Sequence, residues 1–391
     1  MSRRTYGNTL LLWLKLICCM VKDNSKLFLL VLLGMLTAFG PFVTDMYLPS
    51  LPAMGDYFQT ASSMVQLGLT TSMIGLAAGQ ILFGPLSDRY GRRIPLLAAM
   101  WLFIVSTILC LFARDIHQFV AFRLVQGIAG AGGIVIARSV AADKYSGKEL
   151  AKMLAVIGAI NGVAPVVAPI IGGVFTEAIG WQGIFGILLG LGVVLLVGSY
   201  CFRESLPKEH RSVSRWGDTF RSFKVVLQDR QYVFYVLQMA FAQGVLFAYI
   251  SSSPFIVQQH YGYSPLVFSF CFAVNAVATS VKFRRPVSST LIGCVGMAVA
   301  ALGECTALMT GCGFWMYEAL LLVLLFMMGL TFTSTTTLAM ECQRDNAGTA
   351  SALLGAVCFA SGGIVSPLVG LGDILVSTGI IFVISAGCSL S

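Results

Sequence analysis

Apolar residues run through this chain in blocks, each long enough for one helix and separated by short polar breaks. A helix that crosses the hydrocarbon core of a bilayer needs about 20 predominantly apolar residues. Such blocks fall at 27–50, 62–84, 95–113, 118–141, 151–175, 182–202, 231–256, 265–281, 287–310, 316–340, 347–370 and 373–390. The pattern predicts an all-α membrane protein of twelve spanning helices. The longest polar break, "RESLPKEHRSVSRWGDTFRSFKVVLQDR", lies near the midpoint and divides the chain into an N-terminal segment (1–26), a six-helix bundle (27–202), a central loop (203–230) and a second six-helix bundle (231–391). A weak internal echo agrees with a duplication: Pro169 and Gly172 in helix five return 198 residues later as Pro367 and Gly370 in helix eleven. Pro and Gly are common in membrane helices in any case.

Composition agrees with the pattern, since a chain of 391 residues that is 57% hydrophobic and 11% charged cannot hide its apolar surface in a water-soluble core. The formal net charge of +8 would suggest nucleic acid in a soluble protein, but its placement argues for a membrane. Five Lys and Arg precede helix one, and 89–93, 144–152 and 282–285 hold three each. Seven more lie in 203–230 and one is Arg344, so 22 of the 25 fall on one side of an alternating topology. By the positive-inside rule that side is cytoplasmic, which puts both termini of a multi-pass chain in the cytoplasm. The stretch 9–21, "TLLLWLKLICCMV", is too short to span and lacks a cleavage site, so it reads as an interfacial segment or an extension ahead of a start at Met20. The eleven cysteines show no C-x-x-C spacing, and the three histidines sit at helix ends or in loops, so no metal site or disulfide framework is expected.

The segment 84–93, "GPLSDRYGRR", packs four charges and two glycines between helices two and three. Arg89, Arg92 and Arg93 serve the topology. Gly91 permits a tight turn, and Asp88 is expected at the level of the helix-eleven N-terminus near Asn346–Gly348, whose positive dipole end would hold it as a latch between the halves. This segment resembles the loop signature of the major facilitator superfamily, matching at Gly84, Leu86, Asp88, Arg89, Gly91, Arg92 and Arg93. "RLVQGIAGA" is similar to the helix-four signature of proton-coupled members at Arg123, Gln126, Gly127, Gly130 and Ala131. "APIIGG" resembles the helix-five antiporter signature through Pro169, Gly172 and Gly173, with Ala168 in place of its first glycine and Pro165 one turn before. With "DMYLPSLP" and "AGTASALLG", the set resembles the bicyclomycin and chloramphenicol resistance type of drug:proton antiporter. The resemblance implies the 12-helix major facilitator fold in a bacterial inner membrane, gradient-driven export of small amphipathic drugs, protons and membrane lipid as partners, no cofactor, and a monomer.

One departure stands out. Ser62 and Pro95 recur near Ser264 and Pro286, at offsets of 202 and 191, so the second half lacks about ten residues around a shortened eighth helix. A transport-inactive sensor or scaffold is therefore a rival reading, beside a nutrient uniporter or symporter of the same fold. No G-x-x-x-x-G-K-[ST] or hydrolase motif occurs, which excludes a nucleotide-driven pump or a membrane enzyme of those types.

Charges inside spans are expensive and mark function by default. Asp45 and Arg123 both lie about five residues from the outer ends of their helices, and they are expected to face one cavity and couple a proton, against the alternative of a static ion pair. Glu304 is assigned to snorkelling or helix packing, and Arg138 to snorkelling toward headgroups. Phe39, Phe42 and Met46 form a stripe beside Asp45 that is either packed core or a drug-binding wall. Gln126, Asn161, Gln243 and Asn275, like Gln66 and Gln238, are polar near mid-helix and serve either the cavity or interhelical bonding. Gly75 with Gly79, and Gly158 with Gly162, are spaced for close helix packing.

Overall fold

The structure is a computed structural model, in which residues 25–211, 223–279, 286–343 and 347–390 are described. The interfacial stretch 9–21 and Arg344 lie outside these residues. Among them the chain forms α1 (Lys26–Asp45), α2 (Ser62–Tyr90), α3 (Arg93–Leu111) and α4 (Ile116–Lys144). One continuous run, Gly147–Cys201, turns at Gly180 (φ 66°) and supplies both α5 (147–179) and α6 (181–201). The second half contains α7 (Arg230–Phe255), α8 (Pro265–Ala278), α9 (Pro286–Thr310), α10 (Phe314–Cys342), α11 (Ala347–Val369) and α12 (Ile374–Leu390). Each predicted span is thus found as a helix.

Helix starts follow capping chemistry. The carboxylate of Asp115 accepts from Gln118 N at 2.9 Å to begin α4, and that of Asp229 accepts from Gln231 N and Tyr232 N to begin α7. Such caps satisfy backbone donors that the first helical turn leaves open. The "DMYLPSLP" segment ends α1 at Asp45, makes a 3-10 turn at Leu48–Ser50 and restarts as a short helix, Leu51–Phe58, because Pro49 and Pro52 each fit a first helical turn. The charged stretch 84–93 is less of a loop than expected: α2 runs to Tyr90, and Gly91 with Arg92 alone makes the connection to α3.

Packing repeats between the halves. In the first, α1 lies on α4 and α5 while α3 lies on α4 and α6; in the second, α7 lies on α10 and α11 while α9 lies on α10 and α12. Two helix pairs, α2 with α11 and α5 with α8, join the halves. Glycines set the closest approaches. A Cβ on Gly75 would meet the Leu124 carbonyl, and one on Gly127 the Ser72 carbonyl, so α2 and α4 touch backbone to backbone. Gly158 and Gly162 do not behave this way, because nothing lies within 4 Å of where their side chains would be. Their half of α5 stands away from the opposite bundle, which corrects the expectation of close packing there.

The repeat fails where the sequence suggested. α8 has 14 residues, a rise of about 21 Å, and its packing on α10 is slight beside that of its counterpart α2 on α4.

Candidate functional site

The two halves are closed at the end away from the basic loops. There Gly173 of α5 lies against Ser269 and the Pro265 carbonyl at the start of α8, and Gly370 after α11 lies against Ser63 and Gln66 at the start of α2. Gly370 belongs to the internal echo, whereas on α5 the contact is made by Gly173, one residue after the echo's Gly172. Gly172 presses on the Met46 carbonyl, so the Pro-Gly motif of α5 seats its helix on the end of α1 and on the opposite half at once. Gln66 Nε2 donates to Ser251 O at 3.0 Å and Gln258 Nε2 to Pro49 O at 3.0 Å, adding hydrogen bonds between the halves at the same end. Toward the basic loops the inner half of α5 is exposed along Leu154, Gly158, Gly162 and Val163.

Between the halves lies a cavity of about 260 Å³. Asp45 is in its wall, as are Pro165, Asn161, Gln243 and Asn275. Sequence reasoning missed Arg138, which was assigned to the headgroups: its side chain stays exposed but lines the cavity from α4. It also missed Gln80 and the rings of Phe247, Tyr249, Phe272 and Phe359. These are polar or aromatic residues on helices that are apolar all round, where periodicity singles out no face.

The structure also takes residues out of the expected drug-binding wall. Phe39 stacks edge-on against Phe103 with centroids 4.4 Å apart, Met46 is fully buried, and Phe42 packs on the same core. The stripe is core. Gln126 is turned away as well, accepting from Arg123 Nη1 and donating to Thr107 Oγ1 at 2.7 Å.

Asp45 and Arg123 lie at matching depth without forming an ion pair. Arg123 is fully buried and donates to Val43 O at 3.0 Å and Gly68 O at 3.4 Å. Its guanidinium sits over the Tyr47 ring at 4.4 Å and near Phe185 at 5.7 Å. It therefore clamps α1 to α2 and α4 just ahead of Asp45, with its charge spread over carbonyls and π faces. Asp45 is 6% exposed and opens to the cavity instead.

A second constellation stands at the basic end. Arg92 forks onto Asp143 through Nε at 2.8 Å and Nη2 at 3.2 Å, and its Nη1 reaches Asp88 at 2.5 Å and Ser87 Oγ at 2.8 Å. Glu204, just beyond α6, accepts from the backbone N–H of Arg92 at 2.8 Å and Arg93 at 3.2 Å. Arg93 also donates to the Tyr200 carbonyl at 2.8 Å. Burial works against the charge of Arg92, but hydrogen bonds and attraction from Asp143 and Asp88 outweigh it and hold the guanidinium above its ordinary pKa. Gly91 has φ +87°, and a Cβ there would strike the Glu204 carboxylate, so glycine is needed on two counts. Arg89 lies over the Tyr90 ring, and Gly84 faces open space. Asp88 is thus committed to Arg92 inside the first bundle. The side chains around Asn346–Gly348, its expected latch partners, lie outside the described residues.

Two acids in the second half complete the inventory. Glu304 is fully buried and both its oxygens lack hydrogen-bond partners, so it does not snorkel. Glu318, unremarked in the sequence, accepts from Asn275 Nδ2 at 2.9 Å.

The Major Facilitator Superfamily model matches residues 27–367. The "Uncharacterized MFS-type transporter YdgK" of Bacillus subtilis is 37% identical over 368 residues, 90% of each chain. The "Bicyclomycin resistance protein homolog" of Haemophilus influenzae is 29% identical over 364 residues, again 90% of each. Among solved structures, a bacterial homolog of the human lysosomal transporter Spinster, in an inward-facing and unoccupied conformation, superposes with a TM-score of 0.75 at 17% identity, over 94% of this chain and 97% of that one. Twelve helices in two matched halves, a cavity between them and this family match agree: the chain belongs to the major facilitator superfamily of membrane transporters.

Proposed function

We propose that this transporter exports small amphipathic drugs, of the bicyclomycin or chloramphenicol kind, in exchange for protons. The observation that carries the reading is Asp45: a carboxylate without an ion-pair partner among the described residues, in the wall of a cavity between the halves, closed at one end and exposed toward the basic loops. A carboxylate so placed binds either a proton or a substrate, and its surroundings change when the halves rock. Linkage then requires each ligand to expel the other. Arg123, held on the Val43 carbonyl, fixes the end of α1 on which Asp45 sits. The relatives supply the drug class, since one carries bicyclomycin resistance in its name. The shortened α8 does not argue for an inactive protein, because Phe272 and Asn275 of that helix still line the cavity.

In this reading the basic loops face the cytoplasm, both termini lie there, and the cavity loads drug from inside. The Arg92 cluster is the rigid end of the first bundle, on which any latch to α11 would act. Inverted vesicles from a pump-deficient host, energised by respiration, should accumulate radiolabelled chloramphenicol and lose it on adding a protonophore. Asp45→Asn should retain drug binding in detergent but lose gradient-driven accumulation. Accumulation that survives the protonophore would defeat the proposal. For sidedness, an impermeant thiol reagent on whole cells should reach Cys312 and leave Cys342 unlabelled. Labelling of Cys342 alone would reverse the orientation.

A further inference from the structure

The second bundle holds two acids that the cavity does not use. Glu304 of α9 is fully buried, and neither of its carboxyl oxygens has a hydrogen-bond partner among the described residues. Glu318 of α10 is partly buried and stands within electrostatic range of it across the turn between the two helices. Neither lines the cavity. Between Arg230 and Arg344 the only Lys and Arg in the chain are Lys282, Arg284 and Arg285. These precede α9 at its basic end, about 27 Å along the helix from Glu304. α12, packed on another side of α9, has no charged side chain. The titratable groups that face the two acids are Tyr317 of α10, Tyr249 of α7, Cys271 of α8, and Tyr261 beyond α7 with its partner Cys312. None of these carries a positive charge. His260 is exposed beside Tyr261, with ring centroids 4.7 Å apart.

What covers Glu318 is α8. Asn275 of that helix donates through Nδ2 to Glu318 at 2.9 Å and to the Tyr249 hydroxyl at 3.3 Å, and its buried Oδ1 is left without a partner. Cys271, one turn earlier, faces the same carboxyl. α8 packs chiefly on α5 of the opposite half and only slightly on α7 and α10 of its own. Its seat on α5 includes the meeting of Ser269 with Gly173 at the closed end. The cover over Glu318 is thus held in place by the other half of the molecule.

We propose that Glu304 and Glu318 form a second proton-binding site, separate from Asp45, whose bound proton favours the shut position of the closed end. Two carboxylates kept from water with no cation beside them are costly in the charged form, and a proton on the pair relieves that cost. When the halves part at this end, α8 loses its seat on α5, water reaches Glu318 and the charge is tolerated. The proton therefore binds better to the shut state, and by linkage acid favours shutting. The proton passes from water to one carboxylate oxygen and back, and no other bond changes. This inference adds a site to the proposed antiport and rests on that reading for its direction. With the basic loops inside, the closed end faces the acidic side of an energised membrane, so a proton taken up there after drug release returns the protein to the state that loads drug.

Nitroxide side chains built in as non-canonical amino acids at the exposed positions 56 and 315, one in each half at the closed end, report opening as their separation and leave the native cysteines unlabelled. In the unaltered full-length protein in detergent, a longer-distance population should grow severalfold as the pH rises from about 5 to about 9. The double variant Glu304→Gln with Glu318→Gln, neutral at every pH, should keep the short distance throughout. Asp45→Asn and His260→Gln should each retain the response. A separation that ignores pH in the unaltered protein would overturn the inference, whether or not any variant folds. A response that persists in the double variant, or disappears in Asp45→Asn or His260→Gln, would overturn it too. The expected responses, together with chloramphenicol accumulation that ignores the protonophore, would keep the second site and remove the antiport instead.

Discussion

Arg92 joins carboxylates that lie 55 residues apart in the chain, Asp88 and Asp143, and its side chain is only 7% exposed. Breaking a buried ion pair from one side costs about 3–5 kcal/mol, and here that applies to Asp143, 13% exposed, since Asp88, 52% exposed, would return to water. Arg92→Ala should therefore lower the thermal midpoint of the purified protein strongly. Arg92→Lys, which keeps the charge but cannot fork onto Asp143, should fall in between. Equal effects of the two would show that the fork geometry is unimportant. Glu304 predicts the opposite sign: its carboxyl is fully buried without a hydrogen bond, so Glu304→Leu should raise stability by about 1–3 kcal/mol in the same assay. At this scale the sequence was half legible. Depth along a helix can be counted, and Asp45 and Arg123 were placed level by counting. Rotation about an apolar helix cannot be counted, so the sequence did not show that Arg123 turns to Val43 and Tyr47 while Arg138 turns to the cavity. Asp143 and Glu204 were also missed, although the alternating topology already put their loops at the same end as Arg92.

Among the elements, glycine content marks where helices touch, but only the structure says which glycines are in use. Gly127→Val would drive a side chain onto the Ser72 carbonyl of α2, and overpacking of this kind costs about 1–3 kcal/mol. Gly158→Val meets open space and should leave the folded yield unchanged. A matched loss of yield in both would contradict the open arrangement of α5. The two pairs are alike in spacing, and what separates them is the neighbour: Gly75 and Gly79 meet α4 of their own bundle while Gly158 and Gly162 face open space, which no local pattern carries. Helix ends were more legible, since caps are local. Asp229 caps α7, and the backbone N–H of Tyr232, followed by the side chain of Gln343, holds its carboxylate below the usual aspartate range. A depressed folded pKa gives stability that is present above the ordinary value, near 3.9, and is lost as the pH falls through the folded value. Asp229→Asn keeps a capping oxygen without the titration, so its acid unfolding limb should be flatter than that of the unaltered protein.

The whole molecule repeats its architecture, and the repeat was readable from the hydrophobic blocks, the midpoint loop and the Pro-Gly echo. The conformation was not, because one sequence serves every state of the cycle. In the state described, Ser63 and Gly370 touch across the closed end. Cysteines at 63 and 370 should cross-link readily in resting protein and less so once a bound drug favours opening toward that side. Constant cross-linking under all conditions would mean that the closed end does not open. The short α8 bears on the membrane itself. Its rise of about 21 Å falls well short of a hydrocarbon core of about 30 Å, and Phe270, Val274 and Val277 expose its outer face. Lys282 follows four residues after the helix ends. Lipid beside this one helix must therefore shorten or admit headgroups, while the flank formed by α2 and α4, 29 residues each, makes no such demand. A hydrophobic mismatch confined to the α8 flank would make acyl-chain length a lever on the second bundle alone. Reconstitution in shorter-chain phosphatidylcholines should stabilise it relative to long-chain ones, and lengthening α8 by one turn should move that optimum toward thicker bilayers.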